Sequence, residues 1–249
     1  MMIMRRMIQE TVTYSCRTCG SINIVRNGTN KCGSPQYHCK ACGAYRVLKP
    51  VNTPTPDRAQ VLRAYQERMS LRGLQRLFHV GRQTVMGWLA EHVAQLPTLR
   101  ESLLPAQAED VLEVDELWSF VARRRNKRWV WTVLCRRTRQ IVAWVVGDHG
   151  ETTCQRLWNA IPPDYRRCRS FSDFWRAYAA VFPIDTHQQV GKDTGQTAHQ
   201  ERWYNTLRQH LARFTRQTLA FSKLDAPHEL VLRWYITEHN LRRRASLTS

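Results

Sequence analysis

The chain has 249 residues, 43% hydrophobic and 10% aromatic, enough to bury a core and to exclude a disordered chain. Its 38 Lys and Arg against 20 Asp and Glu leave a formal charge of +18, which points to a polyanionic partner. No run of apolar residues is long enough for a membrane span, and the Met-rich start lacks the apolar stretch and cleavage site of an export signal, so a cytoplasmic, nucleoid-associated protein is expected. Met7 is an alternative start.

Residues 1–50 read as a zinc ribbon. They hold 8 basic side chains and 1 acidic one. Cys16 and Cys19 form one CxxC pair, and Cys39 and Cys42 form a second, each followed at once by a glycine, Gly20 or Gly43. Each pair offers two thiolates from one tight turn, and two such turns make a tetrahedral Zn2+ site. Short strands are expected over 22–26 and 36–38. His38 is an alternative ligand, and Cys32 reads as a loop residue. Cys135, Cys154 and Cys168 are scattered among apolar and basic residues and read as free thiols.

Pro50, Pro54 and Pro56 break regular structure and mark a first boundary. Residues 55–97 read as a helix-turn-helix DNA-binding domain. A helical pattern starts at Asp57 and runs through Val61, Leu62 and Tyr65. Ser70 is a plausible N-cap for a second helix carrying Leu71, Leu74, Leu77 and Phe78. Val80 and Gly81 supply the turn, and a third helix places Val85, Trp88 and Leu89 inward. That helix would enter the major groove and offer Arg82, Gln83 and Thr84 to the bases. The alternative is a generic three-helix packing unit.

Residues 108–249, beyond a second boundary at Pro97 and Pro105, carry eight of the nine Trp and read as the catalytic domain. Strands are expected over 111–121, 129–135 and 141–146, then a helix over 153–161, a short strand over 169–171, a helix over 174–181 and a strand near His187. The whole is a multidomain α+β or α/β protein, and this element order is that of a ribonuclease-H-like fold. Such a fold brings carboxylates from its first strand, the end of its fourth strand and a late helix to one point. Asp115, Asp173 and Glu201 sit at those places. A long helix is expected over 197–219, with Thr197 and Gln200 as a capping box and Glu201 opposite the apolar stripe of Trp203, Leu207 and Leu211. Three converging acids can hold Mg2+ ions that activate a water or a 3′-hydroxyl. Each acid has a plainer reading. Glu113 and Glu116 compete with Asp115, although strand alternation turns Glu116 to the other face. Asp173 could be a helix cap, and Glu201 a helix-dipole acid.

Taken together, Gln36-Tyr-His-Cys-Lys-Ala-Cys-Gly43, Gly87-Trp88, Val114-Asp-Glu-Leu-Trp-Ser-Phe120, Ser172-Asp-Phe-Trp-Arg-Ala-Tyr178, Lys192-Asp-Thr-Gly-Gln-Thr197, Glu201-Arg-Trp-Tyr-Asn205-Thr-Leu-Arg208 and Phe221-Ser-Lys223 resemble DDE-type transposases of the insertion-sequence-1 family. The resemblance runs over essentially the whole chain. It implies that Asp115, Asp173 and Glu201 bind catalytic Mg2+ or Mn2+, with His199 and Asn205 close by. It also implies binding to the double-stranded terminal inverted repeats, metal-dependent strand cleavage, strand transfer to target DNA, and a homo-oligomer in a synaptic complex. Arg208 and the basic tail Arg242, Arg243 and Arg244 are expected on phosphates.

Two rival readings remain open on the sequence. His210, Arg213 and Tyr235 superficially match a tyrosine-type recombinase, which needs no metal. A zinc-ribbon and helix-turn-helix regulator whose C-terminal half only oligomerises is the non-enzymatic one.

Overall fold

The computed structural model describes residues 12–48 and 56–248. Met7 and the prolines Pro50 and Pro54 of the expected linker lie outside them. The chain divides into two compact units, Met1–Thr55 and Pro56–Ser249.

The first unit is a three-stranded antiparallel sheet of β1 (Ile24–Thr29), β2 (Pro35–Cys39) and β3 (Tyr45–Val47). Among the described residues its buried hydrophobic cluster is Cys16, Tyr37 and Cys39, with Ile24, Ala44 and Leu48 packed against it. β3 was not anticipated.

The second unit opens with α1 (Arg58–Gln66), α2 (Leu71–Phe78) and α3 (Arg82–Gln95). Their starts follow the local chemistry. The Asp57 carboxylate accepts from the Ala59 amide at 3.0 Å, and the Ser70 hydroxyl accepts from Gly73 at 3.0 Å. α2 ends at His79, whose φ of 55° turns the chain back, and Val80 is buried under the turn. Arg82, Gln83 and Thr84 are exposed at the start of α3. A short α4 (Leu99–Ser102) follows, closed by a capping box between Thr98 and Glu101. The segment expected as a separate domain over 55–97 and the segment 108–249 lie in one compact unit and share a buried core.

A five-stranded sheet forms the centre of this unit. Its strands are β4 (Val111–Phe120), β5 (Lys127–Cys135), β6 (Ile141–Gly147), β7 (Arg169–Ser172) and β8 (His187–Gln189), in the order β6-β5-β4-β7-β8. β4, β5 and β6 form an antiparallel meander, while β7 and β8 run parallel to β4. The apolar runs of β5 and β6 are buried on both faces because helices cover both sides. α5 (Glu151–Ala160) and α6 (Arg176–Val181) cover the face of Val114, Trp131 and Val133. α7 (Ala198–His210) and α8 (Asp225–Thr248) cover the face of Leu117, Val130 and Leu134.

Two expectations for α7 are corrected. The helix stops at His210 rather than near 219, because Arg213 turns inward instead of staying on a solvated helix face. Only 7% exposed, it donates to Ser222 Oγ at 3.1 Å, to the Pro227 carbonyl at 2.9 Å and to the Tyr65 hydroxyl. Nor does Thr197 cap the helix through its side chain; Glu113, from β4, takes that place.

Candidate active site

β4 pairs with β5 along its whole length but with β7 only through Val111, Leu112 and Glu113. Beyond Glu113, one edge of β4 is therefore open, and β7 ends there. Asp173 follows the last residue of β7, level with the open edge. Asp115, Glu116 and Asp173 each bring a carboxylate oxygen to within 4.8 Å of the others. All three are half-buried. Glu116 and Asp173 border a cleft of about 380 Å3 that is also lined by His149, Trp175 and the exposed ring of Phe174.

Each acid is held by a different element. Asp115 turns back so that its Oδ1 accepts from the Glu116 amide at 2.8 Å, while its carbonyl accepts from the Tyr204 hydroxyl on α7 at 2.7 Å. Asp173 Oδ1 accepts from the Trp175 amide at 3.0 Å, the cap-like contact of its plainer reading. The Gln189 side chain donates to the Asp173 and Trp175 carbonyls and pins that loop to β8. Glu116 Oε1 lies 2.8 Å from His149 Nε2, and Glu116 Oε2 accepts from the Tyr178 hydroxyl. His149 is stacked between Trp129 and Trp175, with ring centroids 3.9 and 4.0 Å away. Burial, and then the charges of Glu116 and Asp115, hold the Tyr178 phenol far above its ordinary range, so it stays a donor. Burial and Asp115 do the same for Tyr204.

Glu201 does not belong to this group of three. It is exposed on α7, but at i, i+3 and i+7 it shares a helix face with Tyr204 and Arg208. Tyr204 meets Asp115 directly, and Arg208 is close enough to Asp115 to feel its charge. Burial and Arg216 lower the Arg208 guanidinium from its ordinary value. Asn205 is exposed on the same strip. His199 points elsewhere: its Nδ1 lies 2.6 Å from Glu113 Oε1.

Glu113, a competitor of Asp115 on the sequence, is the bolt between β4 and α7. It is 0% exposed. It accepts from Arg136 Nε at 2.9 Å and from the His199 and Gln200 amides at 2.9 and 3.0 Å. A buried carboxylate with four donors is stable only while all are present. Glu113→Ala should therefore cost about 3–5 kcal/mol, since it takes the counter-charge from Arg136 and uncaps α7. Urea unfolding monitored by circular dichroism measures it.

The sequence did not single out His149, Tyr178 or Tyr204; alternation turned Glu116 to the face opposite Asp115, as the strand register has it, but gave no sign that the two carboxylates still meet. The adjacent pair Asp115 and Glu116 was the available signal.

In the first unit, the four Sγ atoms of Cys16, Cys19, Cys39 and Cys42 lie within 4.8 Å of one another. Cys16 and Cys42 are 3.7 Å apart, and Cys19 and Cys39 are 3.6 Å apart. Sulfurs at the corners of a tetrahedron ~2.3 Å from a zinc ion are ~3.8 Å apart, so the set fits one such ion. Gly20 and Gly43, at φ of 74° and 73°, close the two turns by bonding back to the Cys16 and Cys39 carbonyls. Cys32 is exposed and outside the cluster, and His38 stacks on Tyr45 instead of joining it.

The residues of the tyrosine reading are built into the core. Tyr235 is 0% exposed, and its hydroxyl is 3.0 Å from His210 Nδ1. Burial pushes its phenol up to about 12. Among the described residues, no helix is long and apolar enough to cross a membrane.

The sequence profile of the family described as IS1 transposase matches residues 110–242. The insertion element iso-IS1n protein InsB of Shigella dysenteriae is 32% identical over 129 residues, which is 52% of this chain and 95% of that protein. An insertion element IS1 protein InsB of Escherichia coli is 31% identical over 124 residues, 50% of this chain and 72% of its own. Another from Escherichia coli is 28% identical over 164 residues, 64% of this chain and 93% of its own.

Proposed function

The chain belongs to the IS1 transposase family, and from that we propose a DDE-type DNA transposase that binds the terminal inverted repeats of its element, cuts a strand to expose a 3′-hydroxyl and joins it to target DNA. The observation that carries the chemistry is the convergence of Asp115, Glu116 and Asp173 where β7 ends beside β4. The strand order β6-β5-β4-β7-β8, an antiparallel meander followed by parallel strands, supports a ribonuclease-H-like fold.

In this reading Asp115 and Asp173 are the metal-binding pair, and Glu201 closes the site from α7. A divalent cation such as Mg2+ or Mn2+, when bound, supplies Lewis-acid activation of the attacking oxygen and offsets charge on the leaving one. The chain does the rest by positioning. Tyr204 fixes the β4 backbone at Asp115, and Tyr178 with His149 fixes Glu116. Glu113 and His199 hold the helix that carries Glu201 and Asn205. Arg208 supplies positive charge beside three acids that would otherwise repel a phosphate. Zn2+ in the four-cysteine site is structural. The DNA is bound by a homo-oligomer in a synaptic complex in the cytoplasm.

The test is incubation of the purified full chain with duplexes carrying the ends of its own element. Cleavage that needs Mg2+ or Mn2+ and leaves a 3′-hydroxyl is expected. Metal-independent cleavage with a protein–DNA adduct would replace this reading with the tyrosine one, and specific end binding without any cleavage would favour the regulator.

End recognition is placed on α3. Arg82→Ala should weaken binding to the ends by about 1–3 kcal/mol and leave binding to random duplex nearly unchanged, as expected for a side chain that reads a base edge. Competition titrations with both duplexes read the difference.

A further inference from the structure

Helix α7 has a second functional face. His199, Arg202, Trp203 and Thr206 lie on the side turned away from Glu201, Tyr204 and Arg208. They line a pocket of about 380 Å3 together with Arg139 and Arg243. The pocket-lining residues include three guanidinium groups and no acid.

We propose that this pocket seats a backbone phosphate of the bound DNA, held by Arg139, Arg202 and Arg243, at a place separate from the acidic cluster.

Two orphaned donors mark the site. Arg139 Nη1 and Trp203 Nε1 are buried and have no hydrogen-bond partner. Both belong to residues that line this one pocket, and Trp203 is only 4% exposed. Buried donors are almost always satisfied, so a pair left open in one pocket calls for an acceptor from outside the chain. The cations supply the second argument. Burial, and then Arg243, Arg136 and Arg202, lower the Arg139 guanidinium despite the pull of Glu113. Glu113 offsets only part of that crowding, and its carboxylate is already occupied by four other donors.

The backbone is arranged to keep Arg139 there. It has a φ of 59°, unusual for a residue with a side chain, and its amide bonds to the Cys135 carbonyl at 2.8 Å. His239 Nε2 donates to the Arg139 carbonyl at 2.8 Å, and Arg243 Nε bonds the Thr138 carbonyl at 3.2 Å. The turn between β5 and β6 is thus tied to α8 at the two points that set these arginines. A phosphate meets such planar forks with two parallel hydrogen bonds, as a carboxylate does, and no carboxylate lines this pocket. Arg202 is exposed, and its guanidinium has no hydrogen bond or ion pair among the described residues. It extends the positive surface out of the pocket, as a chain of linked phosphates requires and a lone anion does not.

The inference rests on the reading that this chain binds DNA, and the experiment separates the two. The full chain and an Arg139→Gln, Arg202→Gln double variant are compared in two arms. In the first, fluorescence anisotropy follows binding to an end duplex over a range of salt concentrations. The variant should bind about three- to tenfold more weakly at moderate salt, and its salt slope should fall by about 1–2. In the second, thermal unfolding is followed with inorganic phosphate at constant ionic strength. Phosphate should raise the Tm of the wild-type chain and not that of the variant. Unchanged affinity and slope in a folded variant overturn the proposal. If the wild type binds no DNA but phosphate still raises its Tm through these arginines, the anion pocket stands and DNA as its source falls. Should the double variant fail to fold, Arg202→Gln alone carries both arms, because its exposed side chain supports no core contact.

Discussion

Asp115→Asn and Asp173→Asn should each abolish strand cleavage and joining while leaving end binding nearly intact. Both substitutions keep the shape of the side chain and remove its charge. The stabilisation that a metal ion gives to developing charge is several kcal/mol, and a loss of ~4 kcal/mol is about a 10³-fold slower reaction. Binding should survive, because the proposed base-reading residues Arg82, Gln83 and Thr84 are on α3 rather than at the cleft. The third acid is decided in the same assay. Glu201→Gln is expected to be as inactive as the two aspartate variants. Glu116→Gln keeps its place between His149 and Tyr178 and should be slower without being dead. If Glu116→Gln is dead and Glu201→Gln active, the three clustered oxygens are the whole ligand set and α7 contributes none. Tyr235→Phe is the control. It removes one part-buried hydrogen bond to His210, worth about 1 kcal/mol of stability, and should leave the rate alone.

Loss of the metal from the cysteine cluster should unfold the first unit. Its buried cluster of Cys16, Tyr37 and Cys39 is too small to hold three strands, and two of those residues belong to the four-thiol cluster itself. A structural zinc contributes on the order of 10 kcal/mol to such a unit, far more than its apolar contacts. Chelation, or Cys16→Ser or Cys39→Ser, should therefore remove the ribbon's fold and weaken DNA binding. Cys32→Ser, exposed and outside the cluster, should change neither. Metal analysis of the purified chain should give one zinc per chain. A chain free of zinc that keeps its ribbon folded, seen by proteolysis, would show that the four thiols hold together without it.

What was legible in the sequence divides along a physical line. Features set by neighbours in the chain could be read: the CxxC turns with their glycines, the helix start at Asp57, the cap at Ser70, the turn at Gly81, the apolar runs of β5 and β6. Features set by distant partners could not. Nothing near Glu113 says that it caps a helix 86 residues away. The early end of α7 depends on Arg213 reaching Tyr65, 148 residues back. α8 was not foreseen as an element, although it buries Trp234, Tyr235 and Ile236. Glu116 is the instructive case. Alternation does send it to the opposite face from Asp115, toward α6 and Tyr178. But β7 ends at Ser172, so both faces of β4 open onto the same edge, and strand length decided what periodicity could not.

The Glu113 bolt also sets an order of assembly during synthesis. Arg136 follows Glu113 by 23 residues, but the amide of His199 comes 86 residues after it. At translation speeds of about 5–20 residues per second, the carboxylate waits ~4–17 s for α7. Until then it has to stay hydrated, so the first strand of the sheet cannot close over it. A polypeptide released before Ala198 would carry Asp115 and Asp173 on a sheet that cannot settle. Chains interrupted before α7 are thus expected to lack a settled β4, and with it the edge that carries Asp115.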